Sequence, residues 1–145
     1  MKVLVQKVMS ASVTVNNQIV SAIKQGYLLF VGIEKDDNTA KADYLAKKVA
    51  NFRIFTDEND KMNLSIKDVN GEILAVSQFT LAADLGRGNR PGFDTAAFPQ
   101  EAKPLYEYFI EQLRNYNIEV KNGIFQADMK VALINDGPCT FLLQK

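Results

Sequence analysis

The sequence predicts an α+β fold: one β-rich domain over residues 1–145 with two main helices. Three observations carry that expectation. Runs rich in β-branched residues fill both ends of the chain, two interior segments change to helical spacing, and no repeat, low-complexity tract or linker separates them. With 145 residues and 47% apolar side chains, the chain is long enough to bury a core without cross-links.

In chain order, "KVLVQKV" and "SVTVNNQIVSAI" read as strands, with Asn16-Asn17 supplying turn chemistry inside the second. "GYLLFVGI" is apolar without alternation, the pattern of a strand covered on both faces. The period then changes: Leu45, Val49 and Phe52 recur on one helical face, with Asn38 or Thr39 available to cap the first turn. "DENDKMN" reads as a polar loop, and Asn70-Gly71 marks a turn before the buried strand "EILAVSQFTL". Residues 82–98, "AADLGRGNRPGFDTAAF", have no periodicity. Leu105, Phe109 and Leu113, closed by Tyr116, define a second helix. Pro99 suits its first position, whereas Pro104 would sit deeper than proline favours. "NIEVKNGIF", "MKVALIN" and "CTFLLQK" complete the chain as strands, so Asn135-Asp136-Gly137-Pro138 is expected to be a turn between the last two.

Composition restricts function. Basic and acidic residues balance at 17 each, so nucleic-acid binding through bulk positive charge is not indicated. A single cysteine cannot form an internal disulfide, and no stretch approaches the roughly 20 apolar residues of a membrane span. A cytoplasmic protein without membrane contact is the simplest expectation. The chain has no histidine, and its acids are scattered without zinc-ligand spacing, so neither a metal nor another cofactor is expected.

Few residues are left for chemistry. Asp36-Asp37 and Asp57-Glu58-Asp60 sit in polar stretches, where solvated carboxylates are the ordinary case. Cys139 lacks the histidine that would lower a thiol pKa, and a free cysteine is often a small buried apolar residue. Ser77 and Thr80 close a buried strand; their hydroxyls either satisfy nearby backbone or are presented as functional groups at a strand end. A Ser-His-Asp triad is impossible, so an enzyme of this composition relies on backbone donors, hydroxyls, water or its substrate. Arg87 and Arg90, in "GRGNRPGF", either clamp phosphate or decorate a solvated loop.

Ser77-Gln78-Phe79-Thr80 together with Asn135-Asp136-Gly137-Pro138-Cys139-Thr140 resembles the D-aminoacyl-tRNA deacylase family, which carries S-Q-x-T and N-x-G-P-x-T motifs. The likeness spans nearly the whole chain, through "VQKVMSASVTV", "KMNLS", "GNRPGF", "PLYEYF" and "ADMKVALINDGPCT" in order. It implies a rolled, barrel-like, mostly antiparallel sheet with two main helices. It also implies an ester hydrolase that removes a D-amino acid or glycine from the terminal adenosine of tRNA. The implied catalytic group is Ser77, Gln78, Phe79 and Thr80, with backbone N–H groups near Phe79 and Thr80 holding the oxyanion. Substrate-binding residues would be Asn135, Gly137, Pro138, Thr140 and Met129. Arg87 and Arg90 are assigned to tRNA phosphates from residue type alone.

The resemblance further implies a homodimer in which a cis Gly137-Pro138 peptide enters the active site of the partner. There its backbone would face the substrate α-carbon and exclude an L side chain by clash. The expected partners are aminoacyl-tRNA and a second copy of the chain, not DNA. No cofactor is implied, because the family is thought to recruit the terminal ribose hydroxyl of tRNA to activate water. Three departures stand out: Lys7 where the family usually has Arg, Gln126 where it often has Gly, and Cys139 at a free motif position. Two other classes of function are compatible with the residues: a noncatalytic tRNA-binding module built on "GRGNRP", and a thiol hydrolase built on Cys139.

Overall fold

A long antiparallel hairpin organises the molecule. The computed structural model describes residues 1–86 and 88–145; Arg87 lies outside the described residues. Strand β1 (Lys2–Val15) turns through Asn16-Asn17 into β2 (Gln18–Ile23), which continues after Lys24-Gln25 as β3 (Gly26–Gly32). Both asparagines have positive φ, 50° and 63°, the pair of left-handed residues that a two-residue hairpin turn requires. The register is unbroken from Ala11 opposite Ile23 to Val8 opposite Gly26, so β2 and β3 are successive stretches of one partner to β1.

Helix α1 (Thr39–Ala50) follows. Asn38 caps it, accepting a hydrogen bond from Lys41 N at 3.1 Å. The expected polar loop, residues 57–63, mostly holds: residues 57–61 connect a small hairpin, β4 (Phe55–Thr56) with β5 (Met62–Leu64), and only its last two residues are taken into a strand. β6 (Glu72–Ser77) then runs parallel to β3, and β7 (Glu119–Asn122) parallel to β6. Between them α2 (Pro99–Arg114) holds Pro99 in its first turn and Pro104 inside it. Pro104 and Gln100 are both exposed, so the carbonyl that loses its helical partner faces water, which accounts for the tolerated proline. Tyr116, expected to close the α2 stripe, lies just beyond the helix and packs half-buried on the core.

The sheet order is β2-β1-β3-β6-β7, with β8 (Lys130–Gln144) on β1. Three pairings are antiparallel and two parallel, so the sheet is mixed. Its ends approach each other: Ser21 Oγ donates to Asn122 O at 2.6 Å and Lys121 Nζ to Ala22 O at 3.0 Å, bending the sheet into a nearly closed barrel. β3 and β6 are buried on both faces, as their unbroken apolar runs predict. One face (Tyr27, Leu29, Ile73, Ala75) packs under α1 and α2. The other (Leu28, Leu74, Val76) packs with Val8, Ala11 and Val13 of β1. With a core on each side, β3 and β6 are rigid rails, and the candidate site lies where they end.

Candidate active site

β6 ends at Ser77, and the chain turns at once into a 3₁₀ turn, Phe79–Ala82. Gln78 N still donates to Val31 O of β3 at 2.8 Å, and Leu81 N is the first to bond back, to Gln78 O at 3.2 Å. The N–H groups of Phe79 and Thr80 therefore precede the first bond of the turn and have no acceptor within it. Gly32 allows this close packing: a Cβ there would lie 2.8 Å from Leu81 Cβ and 3.1 Å from Gln78 O. Lys2 Nζ anchors the far end, donating to Leu81 O at 3.1 Å.

A cleft of about 600 Å³ opens beside this turn, between the ends of β3 and β6, the start of α2, and residues 125–129. Ser77, Gln78 and Phe79 line one side; Phe125, Gln126 and Met129 line the other, with Tyr106 of α2 between them. The walls are mostly apolar. Tyr106 is buried and donates to Ala75 O at 2.9 Å; burial pushes its phenol well above the usual range, so it stays neutral. Thr80 stands exposed outside the lining residues, its Oγ1 accepting from Gln78 Nε2 at 2.6 Å. An amide cannot take a proton, so this contact orients the hydroxyl without activating it.

The second motif is built differently. Asn135-Asp136-Gly137-Pro138 is not a turn between two strands; β8 runs through it from Lys130 to Gln144. Gln6 of β1 pairs with Thr140 and Val8 with Asn135, so Lys7 alone faces residues 136–139, and the extra residues form a bulge. Turn-forming residue types acted here within a strand, because both flanks stay in register on the long β1. Asn135 holds the bulge: its Oδ1 accepts from Cys139 N at 2.7 Å and its Nδ2 donates to Thr140 Oγ1 at 2.9 Å. The same Oγ1 accepts from Gln6 Nε2 at 3.3 Å. Beneath, buried Lys7 pairs with Asp136 at 3.2 Å, one ammonium contact where an arginine would offer a fork.

Gly137 and Pro138 are exposed at the crest, joined by a cis peptide, with Gly137 at φ 146°, a conformation that L side chains rarely adopt. Cys139 points the other way. It is 3% exposed within the main core, and burial raises its thiol pKa above the ordinary value despite the opposing Lys7 charge. A neutral, enclosed thiol is no nucleophile.

Within one chain the two motifs do not meet. Met129 and Val131 line the cleft, whereas Asn135, Gly137, Pro138 and Thr140 do not. Val131 and Gly137 are six steps apart along the strand, up to about 20 Å at ~3.3 Å per residue. Arg90 is exposed on a loop pinned by reciprocal Asp84–Gly92 backbone bonds of 2.8 and 2.9 Å, and it does not line the cleft. That loop reaches the site through Phe93, whose ring centroid is 4.9 Å from that of Phe79. Arg87, the other expected phosphate contact, lies outside the described residues. Among the described residues no group of acids and cysteine is placed to hold a metal ion, and no helix is long and apolar enough to cross a membrane.

Residues 4–144 match the family model described as D-Tyr-tRNA(Tyr) deacylase. The chain belongs to this family. A protein of Pelobacter propionicus named D-aminoacyl-tRNA deacylase is 52% identical over 145 residues, which cover all of both chains. One of the same name from Colwellia psychrerythraea is 56% identical over 140 residues, 97% of each. The solved structure of a protein called c-Myc DNA unwinding element binding protein superposes with a TM-score of 0.94 at 40% identity, covering 100% of this chain and 99% of that one. A probable eukaryotic D-amino acid tRNA deacylase shares the fold, with a TM-score of 0.81 at 16% identity over 98% and 97% of the two chains. In this D-Tyr-tRNA(Tyr) deacylase family member, Gly32, Tyr106 and Phe93 also shape the site without any motif to mark them: Gly32 sits inside an apolar run and Tyr106 on the buried face of α2, where packing is the ordinary explanation.

Proposed function

We propose that the protein is a D-aminoacyl-tRNA deacylase working as a homodimer, in which Gly137-Pro138 of one chain enters the cleft of its partner. One observation supports the reading: the cleft beside Ser77–Phe79 and the exposed Gly137-Pro138 crest lie apart within one chain. The cleft has the N–H groups of Phe79 and Thr80 at its edge, and the crest is supported by the Lys7–Asp136 pair and closed by Asn135. The family match and the names of the relatives supply the chemistry.

In this reading the ester carbonyl lies against the N–H groups of Phe79 and Thr80. Water adds to the carbonyl carbon, aided by the neighbouring ribose hydroxyl of the terminal adenosine. The ester C–O bond breaks, and the departing ribose oxygen takes up the proton, leaving free amino acid and tRNA. The protein contributes position and oxyanion stabilisation; one such donor is typically worth about 10²–10³ in rate. Ser77 and Gln78 orient the ester or the incoming dipeptide, and Arg90 meets phosphate of the acceptor end. The partner's crest presents backbone near the substrate α-carbon, which leaves room for hydrogen but not for an L side chain. Glycyl-tRNA passes the same filter.

Purified protein incubated with D-Tyr-tRNA, L-Tyr-tRNA and Gly-tRNA should cleave the first and third and spare the second. Equal cleavage of the D and L species, or of neither, overturns the proposal. Tight tRNA binding without turnover would instead support a noncatalytic binding module.

A further inference from the structure

Four aromatic ring pairs form among the described residues, and three of them lie in or against the core. The fourth does not. Phe79 and Phe93 lie with ring centroids 4.9 Å apart and planes tilted by 55°, and they stay 59% and 37% exposed. Leaving two phenyl rings in water forgoes the gain of burying them, and an exposed apolar pair at the rim of a cleft marks a contact surface. The loop that carries Phe93 is held in place. Besides the reciprocal backbone bonds of Asp84 and Gly92, Asp84 Oδ1 accepts from Gly86 N at 2.8 Å, and Thr95 Oγ1 donates to Ala82 O at 2.5 Å. The rings are therefore presented on fixed backbone. Phe79 lines the cleft, so the pair continues the cleft outward, and Arg90 stands exposed three residues before Phe93.

We infer that Phe79 and Phe93 form a stacking platform for the penultimate base of tRNA, the cytosine before the terminal adenosine, an inference resting on the deacylase reading above. That end of tRNA is single-stranded, and its unpaired bases are free to stack on aromatic faces. Proteins hold single strands with flat aromatic surface under the bases and cations along the phosphates. Phe79 and Phe93 supply the first, and Arg90 supplies the second. The amino-acid side chain fits the platform less well. It varies among D residues and is absent from glycine, whereas the penultimate cytosine is present on every tRNA substrate.

The test uses D-tyrosyl-tRNA with its penultimate cytidine and the same tRNA with an abasic ribose there, which keeps every phosphate. Wild-type protein should prefer the intact substrate by about fivefold or more in kcat/KM, the effect of one base stacked on an aromatic ring. The difference should lie in KM rather than kcat, because this base is remote from the ester. Phe93→Leu, apolar but without a flat face, should bring the preference below about twofold, and Phe93→Trp should keep or widen it. Equal cleavage of both substrates by the wild type overturns the inference and leaves the deacylase reading standing. So does a Phe93→Leu variant that keeps the preference, or one that dissociates a dimer formed by the wild type in sedimentation, which would make the patch an interface between copies. Cleavage of neither substrate overturns both.

Discussion

The cleft at the end of β6 and the crest on β8 are opposite constructions. The cleft is concave and held by packing: Gly32 lets the 3₁₀ turn lie against β3, and two buried strands fix where it starts. The crest is convex and held by polar bonds: Asn135 ties its two ends together, and the Lys7–Asp136 pair supports it from beneath. In the proposed dimer the cleft contributes donors and the crest contributes shape. Donors aimed at a reacting group need a rigid seat, and packing supplies it. A probing backbone needs one defined geometry on an exposed surface, where packing is absent and hydrogen bonds must do the holding.

This contrast can be broken from either side. The largest effect is expected from Asn135→Ala, which removes both bonds that close the bulge. D-Tyr-tRNA deacylation should fall about 10²-fold, the usual consequence of displacing a positioned group by roughly an ångström. Stability should drop by only about 1–2 kcal/mol in a urea melt. Gly32→Ala attacks the other half. Its Cβ would press on Leu81 Cβ at 2.8 Å, so stability should drop by about 1–3 kcal/mol, with activity lost through the shifted N–H groups. A Gly32→Ala protein with unchanged melt and rate would show that the turn is not seated as described.

Lys7→Met and Lys7→Arg should separate support from charge. The methionine variant should lower the ratio of D- to L-Tyr-tRNA cleavage several-fold. The arginine variant should match or exceed the wild-type ratio, because its fork can hold Asp136 at two points. The smallest effects belong to the reactive-looking side chains. Thr80→Ala and Cys139→Ala should each keep deacylation within about tenfold, since neither supplies a nucleophile. Iodoacetamide should label Cys139 slowly near pH 8 and faster only above the ordinary thiol range, because burial makes the folded protein hold the thiol proton more tightly than the unfolded chain does. Stability linked to this group is complete below the ordinary thiol pKa and falls as pH rises past it.

Much was legible from local pattern. β3 and β6 announced themselves by unbroken apolar runs, Asn16-Asn17 by its turn chemistry, and α1 by its stripe and its Asn38 cap, because each depends on neighbours close in sequence. The missing histidine excluded a triad without any coordinates. Pairing partners were not legible. Whether Asn135-Asp136-Gly137-Pro138 is a hairpin turn or a bulge depends on β1, more than 120 residues earlier, and local propensity alone favoured the turn. The small β4–β5 hairpin was hidden for a related reason: its strands of two and three residues carry no periodicity.

The two motifs were likewise visible as residues, but nothing in their order says that one lines a cleft while the other crowns a distant strand. The sequence by itself determined both helices, the long strands and the absence of histidine. Tertiary structure decided the bulge, the burial of Cys139 and the separation of the two motifs. Turn, helix and strand preferences are set by steric and solvation costs within a few residues, whereas register, burial and the meeting of sites come from contacts between residues far apart in the chain.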